Sequence, residues 1–181
     1  DVDIFFVCLP NSFAPEVCIK SLGDGKHVFC EKPPGKNVQD IEALRKAEEA
    51  SDGRKLMFGF NHRYHPAVLK AKTIIKSGRL GNILGLRGVY GKSGGVGFPG
   101  SWRNNENISG GGILLDQGIH MVDLFRYFCG EFEHVKCFVD NTCWNFEVED
   151  NAYVVLGNQK GQHALFHSSA TLWKHTLGGD V

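Results

Sequence analysis

Three short, almost unbroken apolar runs, at 2–9, 27–30 and 55–60, constrain the fold of this chain more than any other feature. The first reads Val-Asp-Ile-Phe-Phe-Val-Cys-Leu. A run that is apolar at both odd and even positions suits a strand buried on both faces of a parallel sheet. The sequence between the runs agrees. Residues 12–22 show a short helical pattern with Pro15 tolerable in a first turn, and glycines at 23 and 25 stop it. Asn37 is a good N-cap for a second helix to about Ser51, with Ile41, Leu44 and Ala47 on one face. Residues 65–77 form a third helical pattern, ended by Gly78. Three strand–helix units with right-handed crossovers give an α/β, parallel sheet. In such sheets ligands bind beyond the carboxyl ends of the strands. Those ends hold Pro10-Asn11, Glu31-Lys32-Pro33 and the stretch from Asn61 to Arg63, where bare turns would have sufficed.

After Gly81 the pattern changes. Residues 83–90 read as a strand, followed by a glycine-rich loop at 91–100 and then Trp102-Arg103. Strands are predicted at 135–142, 148–157 and 163–172, giving an α+β unit: an open, mostly antiparallel sheet with one long helix. The break lies near 78–82, so the expected units are 1–80 and 81–181. The chain opens on Asp1 within a strand pattern, and residues 177–181 trail off after an unfinished one. It reads as part of a longer protein.

The long helix carries the chemistry. Residues 109–123 run Ser-Gly-Gly-Gly-Ile-Leu-Leu-Asp-Gln-Gly-Ile-His-Met-Val-Asp. Asp116 and His120 are four apart and Asp123 follows at i+7, so all three share a face. Leu114, Leu115, Met121, Val122, Phe125 and Phe128 collect on the other. The Asp/His row therefore faces solvent or a cleft. In a cleft, a His beside a carboxylate can move a proton near neutral pH.

Charge excludes some alternatives. Lys+Arg and Asp+Glu balance at 20 each without a basic stripe, which favours neither nucleic acid nor an anionic membrane. No apolar run is long enough to span a bilayer and no signal peptide opens the chain, so a cytoplasmic setting is expected. The six cysteines form no C-x-x-C pair and mostly sit in apolar runs, which suggests reduced, buried thiols; a Cys137–Cys143 bridge has little to recommend it. The histidines other than His120 have no spacing that points to a metal, so none is assigned.

Three stretches in register resemble one family. Residues 25–33, Gly-Lys-His-Val-Phe-Cys-Glu-Lys-Pro, look like the Glu-Lys-Pro signature of the Gfo/Idh/MocA oxidoreductases. Residues 59–64, Gly-Phe-Asn-His-Arg-Tyr, resemble the strand end that follows, and residues 110–120 resemble the helix with its Asp and His. The resemblance implies a partial Rossmann domain that binds NAD or NADP, followed by part of a substrate domain. It implies hydride transfer on a hydroxyl carbon of a sugar, sugar nucleotide or cyclitol, and a homo-oligomer when full length. Lys32 matches the family's active-site lysine, and Asp116 and His120 match its substrate-binding Asp and proton-transferring His. Leu9, Pro10 and Asn11 fall in the loop that borders the cofactor, while Glu31 and Pro33 match positions lining the nicotinamide. The bond before this proline is often cis in relatives. Asn61, Trp102 and Arg103 complete the candidate cofactor set. The family's first G-x-G-x-x-G turn is expected upstream of Asp1, and Ala14 stands where many relatives carry His.

The chemistry also follows from the residue types. Oxidising an alcohol removes a hydride and a proton; an imidazole suits the proton, an ammonium such as Lys32 can stabilise developing alkoxide charge, and the hydride needs a cofactor. Asp116 could bind a neighbouring hydroxyl or steady the imidazole. Asp123 reads rather as a structural hydrogen-bonding residue. Asn61 and Arg63 divide between strand-end structure and ligand contact, Trp102 between packing anchor and cleft cap, and glycines 110–112 between close packing and backbone donors to a ligand. Two other functions remain open: an NAD-dependent glycosidase or transhydrogenase of the same family, and a non-catalytic nucleotide- or sugar-binding protein.

Overall fold

In the computed structural model, which describes residues 2–95 and 97–180, the three apolar runs form β1 (Ile4–Val7), β2 (His27–Cys30) and β3 (Leu56–Phe58). They pair in parallel in that order. Between them run α1 (Ala14–Gly23) and α2 (Val38–Glu49). Pro15 lies in the first turn of α1, where its missing N–H leaves no bond unmade. Asn37 caps α2, its side chain accepting from the Asp40 N–H at 3.0 Å. Val7, Ala14, Cys18, Leu22, Val28, Cys30 and Leu44 form the core between sheet and helices.

The expectation that the first strand is buried on both faces fails. Ile4, Phe5 and Phe6 of β1 are 49%, 42% and 70% exposed. β1 is a sheet edge, and no further layer covers its outer side among the described residues. The third helix, α3 (Pro66–Lys76), contributes nothing to this core; its Val68 packs against the second one.

The second half contains β4 (Gly85–Gly91), a four-residue helix α4 (Glu106–Ser109) and a π-helical turn (Leu114–Gly118) that runs into α5 (Ile119–Cys129). Strands β5 (His134–Asp140), β6 (Asn151–Gly157), β7 (His163–Ser169) and β8 (Thr176–Asp180) follow. The sheet order is β5-β6-β7-β4-β8. β4 and β7 are parallel and the other pairs antiparallel, so the sheet is open and mostly antiparallel. The residues expected only to trail off form β8, with Tyr90 opposite Leu177. Met121, Leu124, Phe125 and Cys129 of α5 pack on Leu86, Ala152, Val154, Leu156, Ala164 and Phe166.

All six cysteines are free. Cys18, Cys30 and Cys129 are buried, but Cys8, Cys137 and Cys143 are exposed, against expectation. Cys8 follows the edge strand β1, and Cys137 lies on β5, an edge strand whose seven residues are all exposed. Among the described residues no helix is long and apolar enough to cross a membrane.

Candidate active site

The carboxyl ends of β1 and β2 are fastened to the second half by polar bonds. Asn11 is 4% exposed, and its Nδ2 donates to the Ser109 carbonyl at 2.7 Å. The Ser12 N–H donates to the Ile108 carbonyl at 3.1 Å. Beyond β2, Lys32 precedes a cis bond to Pro33 and reaches across the seam. Its Nζ donates to the Asp116 carbonyl at 2.5 Å and lies 3.5 Å from Oδ1.

The triple glycine sets the start of the long helix. Gly110 ends α4 at φ +78°, a left-handed conformation that glycine adopts without strain. A Cβ on Gly112 would lie 2.0 Å from the Glu149 carbonyl oxygen. The Glu149 carboxylate accepts the N–H groups of Gly112 and Leu114 at 2.8 and 2.9 Å, and its carbonyl accepts that of Ile113. A carboxylate here also suits the positive end of the helix dipole. At Gly112 the open question resolves toward close packing, because Glu149 takes its N–H, while the Gly110 N–H goes to the Glu106 carbonyl.

Asp116 is buried inside a ring of donors. Lys92 Nζ is 3.2 Å from Oδ2 and Arg103 Nε is 3.3 Å from Oδ1. Gln117 Nε2 donates to Oδ2 at 3.0 Å. Burial pushes this carboxyl up, but Lys32, Lys92, Gln117 and Arg103 together outweigh it and hold it below its ordinary value. Burial lowers the Lys32 ammonium, with Asp116 opposing. A lysine so placed is a hydrogen-bond donor whose proton is less tightly held than in water.

His120 is 4% exposed. Asp116 of the Asp/His row faces the cleft, but His120 faces neither bulk solvent nor the cleft: aromatic rings cover it. Phe60 meets His120 edge-on at 6.1 Å, Tyr90 lies at 6.1 Å, and the His62 ring packs against it with centroids 3.9 Å apart. Burial, then the charges that His62 and Lys32 can carry, push His120 down to about 3. It is a neutral base at physiological pH. Asp123 serves structure: Arg63 grips its carboxylate from Nε at 2.7 Å and from Nη2 at 2.5 Å.

Leu9, Pro10, Asn11, Glu31, Lys32, Pro33, Trp102, Arg103 and Asp116 line one cleft of about 270 Å³. Asn61 does not join it; it is exposed and opens a 3-10 turn, Asn61–Tyr64. The Arg103 guanidinium sits 4.4 Å above the Trp102 ring. On the other side of Lys92 lies a hollow of about 320 Å³ bordered by Tyr90, Gln117, His175 and Thr176. Sequence reasoning missed Lys92, Gln117, Tyr90 and His62. Gln117 adjoins Asp116 and His62 stands within the strand-end stretch, so position was a usable signal for both; Lys92 and Tyr90 gave none. Residues 95–100 happen to spell G-x-G-x-x-G, but the next element among the described residues is a short 3-10 turn (Trp102–Asn104) and not the α-helix that follows a dinucleotide-binding turn. Among the described residues no group of three or more His, Cys, Asp or Glu could hold a metal ion.

Comparison with known proteins places this geometry. Residues 1–60 match the family described as "Oxidoreductase family, NAD-binding Rossmann fold", and residues 68–179 match the "GFO/IDH/MocA C-terminal domain". The chain belongs to the GFO/IDH/MocA oxidoreductase family. It is similar to levoglucosan dehydrogenase of Pseudarthrobacter phenanthrenivorans, 32% identical over 89% of this chain and 42% of that protein. It is also similar to D-glucoside 3-dehydrogenase of Escherichia coli, 30% identical over 96% of this chain and 51% of that one. The structure of a levoglucosan dehydrogenase in complex with NADH and levoglucosan superposes with a TM-score of 0.91 at 27% identity, covering 97% of this chain and 50% of the other. The chain thus spans about half the length of the curated relatives it matches.

Proposed function

We propose that this GFO/IDH/MocA chain supplies the catalytic part of an NAD(P)-dependent oxidoreductase acting on a hydroxyl carbon of a sugar or cyclitol. In this reading residues 1–80 are the later half of a dinucleotide-binding domain and 81–181 are part of a substrate domain. One observation carries it. Lys32 leaves the parallel sheet and meets Asp116 across the seam, one turn from a buried, neutral His120.

The cleft suits the nicotinamide end of a dinucleotide. Leu9, Pro10, Pro33 and Trp102 offer apolar walls to a flat ring, while Lys32 and Arg103 offer donors to its amide and phosphate side. When bound, NAD(P) supplies the hydride acceptor that no side chain provides. The chain's own residues do the rest. The Lys32 ammonium donates to the reacting oxygen and steadies its negative charge. Asp116, held ionised by its cations, accepts a hydrogen bond from a neighbouring hydroxyl. His120 takes the hydroxyl proton. Being neutral, it is free to accept that proton as the carbonyl forms. The relatives named as levoglucosan and D-glucoside dehydrogenases support a carbohydrate substrate. The exposed Phe138, Tyr153, Val155 and Leu165 of β5, β6 and β7 favour assembly of several copies.

The test is His120→Ala in the complete gene product that contains this sequence. The expected result is a loss of turnover of about 10²- to 10⁴-fold, with cofactor binding intact by fluorescence. Turnover near that of the unaltered protein would overturn the reading.

A further inference from the structure

His120 has a second imidazole against it. His62 comes from the 3-10 turn after β3, and its ring centroid lies 3.9 Å from that of His120 at an interplanar angle of 52°. The Nδ1 atoms of both rings are buried and have no hydrogen-bond partner. The groups around the pair are few. Asp116 approaches His120 from its own helix, Lys32 from the end of β2 and Tyr90 from β4. His62 is reached by Lys32, His65, Asp123 and Tyr90. Asp123 is already gripped by Arg63, so no free carboxylate is left to balance two imidazolium ions.

The surroundings of the two rings differ. His62 lines a mostly apolar cavity of about 310 Å³ behind the site, between α3, α5 and β8, while His120 does not. His62 is therefore less enclosed than His120.

We propose that His62 is the positioning residue of His120: the two contacting rings share at most one proton, and His62 keeps His120 neutral and oriented toward the reacting hydroxyl. Two cationic rings in contact would repel, and with little water to screen them the second proton is refused. Burial and the Lys32 ammonium disfavour the charged form of both rings, His65 adds to this at His62 and His62 adds to it at His120. In substrate oxidation the C–H hydride would go to the NAD(P) acceptor proposed above, the O–H electron pair closes the carbonyl, and the proton passes to the empty His120 nitrogen and is later given up, so His120 takes up one proton and releases one. The proposal rests on the role given to His120 above.

The test follows the imidazole resonances of the 15N-labelled complete gene product that contains this sequence from neutral to acid pH. In the unaltered chain, protonation of His62 should come first and should perturb His120 without charging it. In His62→Phe, which keeps a contacting ring but no proton site, the His120 midpoint should rise by about one pH unit, the size expected when a contacting like charge is removed. His62→Gln should act in the same direction and serves if the Phe variant packs poorly. An unmoved His120 midpoint in the folded variants would overturn the proposal. So would His120 resonances in the unaltered chain that ignore the titration of His62. Activity plays no part in this measurement. A null result therefore refutes the pairing and leaves the proposed function standing, whereas an active His120→Ala enzyme refutes the role given to His120 and leaves the coupled titration of the two rings to be judged by its own measurement.

Discussion

Lowering the pH from neutrality to about 5 should weaken the folded chain through His120, and His120→Gln should remove that part of the loss. The folded value of His120 is about 3, against 6.5 for an unhindered imidazole. Between those values the unfolded chain binds a proton that the folded chain refuses. Stability attributable to His120 is therefore intact above about 6.5 and falls as the pH drops through that window. At about 1.4 kcal/mol per unit, the gap at pH 5 corresponds to about 2 kcal/mol, rising to about 4 kcal/mol near pH 3. His120 is 4% exposed, so solvent screening reduces this little. Asp116 does not blur the result. Its folded value lies below its ordinary 3.8, so the stability it contributes is present above that value and lost only at more acid pH. The assay is urea unfolding of both proteins at neutral pH and at pH about 5. The difference between the two pH values should shrink by about 2 kcal/mol in the variant. Equal acid loss in both would show that His120 takes its proton in the folded state, and that Phe60, His62 and Tyr90 do not seal it from water.

Two further outcomes follow from the site. Gly112→Ala should cost about 2–4 kcal/mol and lower the melting temperature, because its Cβ would lie 2.0 Å from the Glu149 carbonyl oxygen and three bonds to Glu149 hold that backbone in place; an unchanged Tm would refute the account of the triple glycine. Lys92→Met removes one of three cations at Asp116, so in the complete gene product substrate KM should rise about tenfold with NAD(P) affinity unchanged, a result that steady-state kinetics and cofactor titration separate.

Much of the architecture was legible because it rests on local signals. The three apolar runs, the Asn37 cap and the first-turn Pro15 each act over a few residues, and each appears where its chemistry predicts. What escaped depends on partners far along the chain. The stretch Thr-Leu-Gly-Gly-Asp has almost no strand preference and becomes β8 because β4 offers a free edge. Phe5 and Phe6 look like core from their neighbours alone, yet their exposure depends on which layers come to lie over β1. At the site, the Asp116–His120 spacing was visible and the π turn beneath it was not, since that turn is stabilised by the glycine–Glu149 packing. Lys92 carries no local mark. It matters only because β4 ends beside Asp116.

Lys32 and Asn11 reach across the seam for partners 84 and 98 positions later in the chain. The lysine's aim is therefore not a property of either sheet. A swing that parts the two halves far enough to free these bonds would leave Lys32 pointing into water and Asp116 short of one cation. An opened cleft is thus also a disarmed one.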